Sequence, residues 1–312
     1  MKTLYSKIII LLCIIISSSS LFSQTISVYV SDAGGFNNPP WFIYKFDENG
    51  ENPQVLLDED DGIIWPEDIL FLEDQNVALV TSLSTAGIIG KYNATTWEFI
   101  ENFAEGIAGP TRMKIGYDNL IYVLQWSNTN NKVLRYQQDG TFVDEFTSVG
   151  VPQSIGLDWD ANGNLYVSSY GGSTIRKFDT DGNDLGLFIS SGLAGPTNIW
   201  FDKNQTGDLI VLNWNNGTVK RFDSDGNFVV DILTGLSQPE GVDFFPNGDI
   251  LIGNGGDGAV KRYDNTFNFI ENFIEPGLLI TPNAVVIREE PIASVNDYNE
   301  QNIISETIGS TF

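Results

Sequence analysis

Six times along the chain a proline opens a short apolar segment: "PEDILFL" at Pro66, "PTRMKIG" at Pro110, "PQSIGLD" at Pro152, "PTNIWFD" at Pro196, "PEGVDFF" at Pro239 and "PNAVVIR" at Pro282. The separations are 44, 42, 44, 43 and 43 residues. A period this regular means one supersecondary unit laid down repeatedly, and it restricts the fold before any single residue is considered. A second marker keeps step with the first. A basic residue followed by an aromatic occurs at Lys45-Phe46, Lys91-Tyr92, Arg135-Tyr136, Lys177-Phe178, Arg221-Phe222 and Arg262-Tyr263. The pairs read as one structural position per unit, with each cation expected to meet acids of a neighbouring unit.

Inside each unit the pattern is that of β-structure. "LYVSSY", "LIVLNW" and "ILIGN" are rich in Val, Ile and Tyr, and "GGS", "NNG" and "GGDG" turns follow them. Alternating segments such as "TIRKFD" and "TVKRFD" come next, ended by "DTDGN" and "DSDGN" turns. With the segment after the proline, each unit has four strands. Four-stranded units of about 43 residues without long linkers predict a six-bladed all-β propeller. Full blades are expected at 66–109, 110–151, 152–195, 196–238 and 239–281. The sixth is split: residues 26–65 lack a proline strand, and "PNAVVIRE" is one with nothing after it. Joining them makes a C-terminal strand complete the first blade and close the ring, leaving no open sheet edge. Each proline is expected as the first residue of an innermost strand, where its missing N–H does no harm.

"P-x-x-I-x-x-D…G-N-L-Y-V…I-x-K-F-D-x-D-G" resembles the NHL-repeat and streptogramin-lyase-like six-bladed propellers, which sit close to the senescence-marker-protein/gluconolactonase family. The resemblance covers roughly residues 26–290 and speaks to fold more than to activity. Streptogramin lyases use histidines for elimination, and this chain has none, so that activity is not expected. Gluconolactonase-like enzymes hold a divalent cation at the channel mouth with acids and amides at the start of inner strands. The resemblance carries that role to Glu67, Thr111, Gln153, Thr197, Glu240 and Asn283, with Asn198 one place further on. Glu67, Glu240 and Asn283 fall on adjacent blades and are the candidate calcium ligands. Asp68, beside them, is the candidate general base of a lactonase-type hydrolase.

Composition narrows the chemistry further. With no histidine, histidine bases, Ser-His triads and histidine metal ligands are excluded. Residues 1–23 read as a secretory signal peptide: Lys2 and Lys7 precede the apolar run Ile8–Ile16, which is too short to span a bilayer. The single cysteine, Cys13, lies within that leader, so export would leave neither disulfide nor thiolate chemistry. Two of the 16 basic residues go with the leader, leaving 14 against 41 acids. Nucleic acid and anionic membranes are poor partners for such a surface. Carboxylates, amides and backbone oxygens remain, and these are hard-cation ligands.

Aligning the loops between second and third strands puts Ala33, Leu83, Trp126, Tyr170, Trp214 and Gly255 at one position. Trp126, Tyr170 and Trp214, on consecutive blades, either face the mouth or pack between blades. If they face it, an aromatic half-rim opposes Glu67, Asp68, Glu240 and Asn283, an arrangement suited to a sugar-like or other amphipathic ligand. The first blade's "SDAGGFNNPPWF" is the longest such loop, and either overhangs the mouth as a lid or partner contact or is simply a variable connection.

One stretch imitates a calcium loop. In "LDWDANGNLYV", Asp158, Asp160, Asn162 and Gly163 match the first half of an EF-hand. The twelfth position is Ser169 rather than a bidentate acid, so the segment reads as a hairpin in which Asn162 and Gly163 supply positive φ. The tail, 291–312, resembles in "SVNDYNEQN" the start of a type IX secretion sorting domain, or else is a polar tail without structure. The domains are therefore a leader (1–23), a propeller (24–290) and a tail (291–312). The expected function is an exported, monomeric binding module that presents its top face to an extracellular ligand, carbohydrate or protein. The alternatives are the calcium-dependent hydrolase and a structural or adhesive unit of a surface assembly.

Overall fold

A computed structural model describes residues 25–202 and 206–290; the leader and the tail lie outside the described residues. The compact unit is Ile26–Arg288. It consists of six four-stranded antiparallel sheets, each ordered from an inner to an outer strand. The inner strands are Pro66–Leu72, Pro110–Ile115, Ser154–Trp159, Pro196–Phe201, Pro239–Phe244 and Pro282–Glu289. Pro282–Glu289 pairs with Ile26–Asp32, so the C-terminal strand completes the first blade and closes the ring, as expected. Among the described residues no helix is long and apolar enough to cross a membrane.

The second strand of each blade is buried on both faces because neighbouring blades cover both. In Ile26–Asp32 the side chains alternate: Val28 and Val30 join Leu251, Val260 and Phe273 of the sixth blade, while Tyr29 joins Ile69 and Val80 of the second. Six apolar clusters of this kind fill the six blade-to-blade interfaces. The core is therefore a ring of interfaces rather than a central mass.

Two expectations about the repeat change. Pro152 is exposed and does not open a strand. The residue paired like Pro66 with Ser82, or Pro110 with Gln125, is Ser154, opposite Ser169. The residue just before each of these strands shows why. Trp65, Gly109, Gln153, Gly195 and Gln238 all have positive φ, from 44° to 70°, and each carbonyl accepts from the first residue of its blade's 2–3 loop. Gln153 thus occupies the lead-in turn, and the fourth blade's equivalent of Glu67 is Ile155. The second change concerns the basic-aromatic pairs. Their cations meet acids of their own blade: Lys91 with Glu101, Arg135 with Asp118 and Asp144, Lys177 with Asp160, and Arg262 with Asp249 and Glu271. Cross-strand neighbours on one sheet lie closer than side chains of the next blade.

The calcium-like stretch is a hairpin. Asp160 Oδ1 accepts from the backbone N–H groups of Asn162 and Asn164, and Gly163 alone takes a left-handed φ, of 82°. Asp179, Asp223 and Asp264 repeat the same turn in the 3–4 hairpins.

Candidate functional site

The lead-in turns and the 2–3 loops meet on one face of the ring, and their register fixes what surrounds the axis. The backbone N–H groups of Ala33, Leu83, Trp126, Tyr170, Trp214 and Gly255 bond to Thr281, Trp65, Gly109, Gln153, Gly195 and Gln238 respectively. The polar residue ending each second strand pins the turn beside it. Asp32 accepts from Ile280 and Thr281, Gln125 from Ala108, Asn213 from Ala194 and Asn254 from Ser237. Ser82 accepts from Ile64 and Ser169 donates to the Pro152 carbonyl, so all six polar positions are structural.

At the centre of this face lies a cavity of about 220 Å³. Its walls are Phe36, Trp65, Leu83, Trp126, Ile155, Tyr170, Trp214 and Gln238, and Glu67, Glu240 and Asn283 also line it. Trp126, Tyr170 and Trp214 thus face the mouth. Trp126 and Tyr170 meet at 5.2 Å between ring centroids, and the Tyr170 hydroxyl donates to Asn215 Oδ1. The first-blade loop overhangs the mouth. Its Phe36 reaches Trp65 of the second blade's lead-in (5.2 Å) and Trp214 of the fifth blade (6.0 Å). The Trp41 indole N–H bonds to the Phe36 carbonyl at 2.7 Å and holds that loop in place.

Two aromatics of the wall stand on unfavourable backbone. Phe36 has φ 60° and Trp65 φ 44°. For bulky residues such conformations cost on the order of 1–3 kcal/mol and cluster at functional sites. Glycine does the same turn without strain at Gly109 and Gly195.

Below the aromatic walls lies a buried charge cluster whose acids the sequence singled out but whose cation, Arg112, it did not. Arg112, two residues into its inner strand, is 5 % exposed and stretches across the axis. Its guanidinium donates to Glu240 Oε1 at 2.9 Å, to the Glu67 carbonyl and to the Asn283 carbonyl, and lies 3.6 Å from Asp68 Oδ1. The Asn283 side chain donates to Glu67 Oε1 at 2.8 Å. Burial, then the Glu240 charge, pushes the Glu67 carboxyl well up, with Arg112 opposing. Burial likewise pushes Glu240 up to about 7, against the pull of Arg112. Glu67 is thus the member of the pair on which burial and the neighbouring carboxyl both favour the proton. Glu67 Oε2, Asn283 Oδ1, Trp65 Nε1 and Arg112 Nε are buried without a protein hydrogen bond among the described residues.

On the other side of Arg112 a second cavity, of about 160 Å³, is lined by Asp68, Lys114, Asn198 and Asp243 among others. Asn198 therefore does not reach the upper cavity; its side chain donates to the Glu240 carbonyl. Asp68 also belongs here, its Oδ2 accepting from the Met113 N–H at 2.7 Å, and it is separated from the mouth by Arg112. That placement does not suit a general base for a ligand above. Gln153 does not line the upper cavity: its side chain lies against Gly171 of the 2–3 loop. Thr111 and Thr197 bond their hydroxyls to the Ser154 and Pro239 carbonyls of the next inner strands.

The residues do not fit a divalent cation as they stand. Glu240 is engaged by a guanidinium, Asn283 turns its amide nitrogen to Glu67, and Arg112 places a positive charge where the ion's charge would lie. No group of three or more acids in ligating geometry occurs among the described residues. What the arrangement can do is enclose a small ligand between aromatic faces and an acidic, proton-holding floor.

Arg112 was legible only as a charge inside an inner strand, "PTRMKIG", and Trp65 only as the residue before a repeat proline. Phe36 carried no sequence signal beyond the length of its loop.

No family model matches the chain, and no curated protein matches it. Solved structures do. A chain of a nidogen/laminin complex superposes with TM-score 0.67 at 15% identity, covering 84% of this chain and 98% of that one. A protein of unknown function from Bacteroides caccae gives TM-score 0.66 at 14% identity, covering 85% and 100%. A catalytically inactive virginiamycin B lyase from Staphylococcus aureus, crystallised with quinupristin, gives 0.52 at 18% identity, covering 70% and 71%. At these identities the likeness is one of fold: the chain is an all-β six-bladed propeller, an architecture shared with chains of the virginiamycin B lyase and of the nidogen/laminin complex.

Proposed function

We propose that the chain is an exported binding module that takes a small ligand, or a protruding group of a larger partner, into the upper cavity without turning it over. The observation that carries this reading is the aromatic-walled cavity above Arg112. Five rings from four blades and the first-blade loop converge on it, two of them held on strained backbone. Its volume lies below the roughly 300–1,000 Å³ usual for drug-sized ligands, so the group that enters is small. A propeller chain taken from a nidogen/laminin complex supports a binding role for this architecture. Export rests on the leader, residues 1–23, and the tail would serve as a sorting address.

The test is a titration of intrinsic tryptophan fluorescence with a panel of glycans, polyols and amphipathic amines. Ligands that bind should perturb the emission of Trp65, Trp126 and Trp214. Trp126→Ala and Trp214→Ala should each weaken that binding. Binding unchanged in both variants would place the site elsewhere.

The second reading, a calcium-dependent hydrolase akin to the gluconolactonases, is less favoured. Arg112 occupies the charge position that the cation would need, and Asp68 lies beyond it.

A further inference from the structure

We propose that the group recognised in the upper cavity is a small organic cation, an alkylated ammonium with a short polar arm. This rests on the binding reading above and names its ligand chemistry. Three observations lead to it. First, Trp65, Trp126 and Trp214, with Phe36 and Tyr170, line one space. An ammonium over several aromatic faces is attracted by each ring quadrupole, and a desolvated cage strengthens the effect. Second, the acceptors at the cavity are in excess. Asn283 lines it, is 1 % exposed, and its Oδ1 has no protein donor among the described residues, while the Glu67 carboxyl beside it, 3 % exposed, meets only the Asn283, Glu240 and Trp65 side chains. Buried acceptors without donors call for a donor or a positive charge from outside. Third, the charges nearby do not balance. Glu67, Glu240 and Asp68 surround the single guanidinium of Arg112. The other titratable groups facing this cluster are Tyr170 above and Lys114 and Asp243 below, and Lys114 is itself paired with Asp158. A cation seated above Glu67 and Glu240 would supply the missing positive charge and let Glu67 release its proton. The Trp65 N–H, which faces the Glu67 carboxyl without a fully formed hydrogen bond, would take a hydroxyl oxygen on the ligand's short arm.

A neutral sugar satisfies the ring faces but leaves the charge imbalance as it is. An anion would be repelled by the carboxylates and has only one donor awaiting it at the walls. The same cationic chemistry occurs on free amino-alcohols and on methylated lysine side chains of proteins. The cavity's size admits either.

The experiment titrates tryptophan fluorescence with choline, with 3,3-dimethylbutan-1-ol (its uncharged carbon isostere), with glucose and with an acetylated trimethyl-lysine peptide. The expected result is that choline binds at least tenfold more tightly than the isostere. Choline binding should also tighten as pH rises from 6 to 8, because Glu240, pushed up to about 7, loses its proton there, while the isostere's binding stays flat. Trp126→Leu, which keeps an apolar wall without a π face, should weaken choline more than the isostere. Glu240→Gln should do the same if it folds. Preference for the peptide over choline assigns the cation to a macromolecule, and the reverse assigns it to a free metabolite. Equal or tighter binding of the isostere or glucose overturns the cation inference while leaving the cavity as a binding site. Silence from all four probes at millimolar concentration overturns the inference and counts against the binding reading too.

Discussion

Glu67 offers the sharpest test of how the buried cluster is charged. Its carboxyl is 3 % exposed and held well above its ordinary value of 4.5 by burial first and by Glu240 second. A carboxyl raised on folding keeps a proton that the unfolded chain releases. Its contribution to stability is therefore fully present below pH 4.5 and is lost as pH rises toward the folded value. Each pH unit over which Glu67 alone stays protonated removes about 1.4 kcal/mol. Glu67→Gln keeps the shape, and the Gln oxygen can still accept from Asn283 Nδ2. Its amide offers Glu240 the donor that protonated Glu67 would offer, but it carries no such pH dependence. The variant should gain on the parent as pH rises above 4.5, by at most about 1.4 kcal/mol per unit while the folded carboxyl holds its proton. For a domain of this size that is roughly 3–5 °C in Tm per unit. The assay is urea or thermal unfolding of both proteins across that range, reading the difference, because Glu240 contributes a slope to both. Curves that stay parallel from pH 4.5 to 6 would refute the protonated Glu67, as would a Gln variant that loses ground as pH rises.

Three further outcomes follow from the same geometry. Arg112→Met leaves Glu240 and Asp68 buried without their cation, so it should cost about 3–5 kcal/mol at pH 8 and markedly less at pH 5, where the acids can protonate, as read by urea unfolding. Asp32→Ala removes the acceptor for the Gly34, Ile280 and Thr281 N–H groups, which tie the first-blade loop to the closing strand. It should cost about 2–4 kcal/mol of unfolding free energy, and an unchanged midpoint would show that ring closure does not depend on it. Millimolar calcium against chelator should leave Tm unchanged; a rise abolished by Glu67→Gln and Glu240→Gln would restore the metal reading.

The blade count, the split blade and the closing strand were all legible in the spacing of prolines and basic-aromatic pairs. The register of the fourth blade was not. Pro152 keeps the period but sits two residues early, and the pairing is set by the left-handed turn before the strand. Glycines mark that turn at Gly109 and Gly195, whereas Trp65, Gln153 and Gln238 adopt it without advertising it. The alignment of Trp126, Tyr170 and Trp214 could be read from the sequence because one hydrogen-bond register repeats in every blade. Arg112 could not be, because a cation in an inner strand is favourable only where acids from two other blades converge, and that is a property of the closed ring. Phe36 is similar: its contact with Trp214 joins residues 178 positions apart in sequence, which no local pattern encodes.

The claim that the upper cavity is the binding site is tested most directly by hydrogen–deuterium exchange with and without the tightest-binding member of the fluorescence panel. Protection should appear in the first-blade loop around Phe36, the lead-in at Trp65 and the 2–3 loops of Trp126, Tyr170 and Trp214, with the outer strands unchanged. Protection confined to the outer strands, where Phe99, Phe142, Phe228 and Phe269 are each more than half exposed, would contradict it.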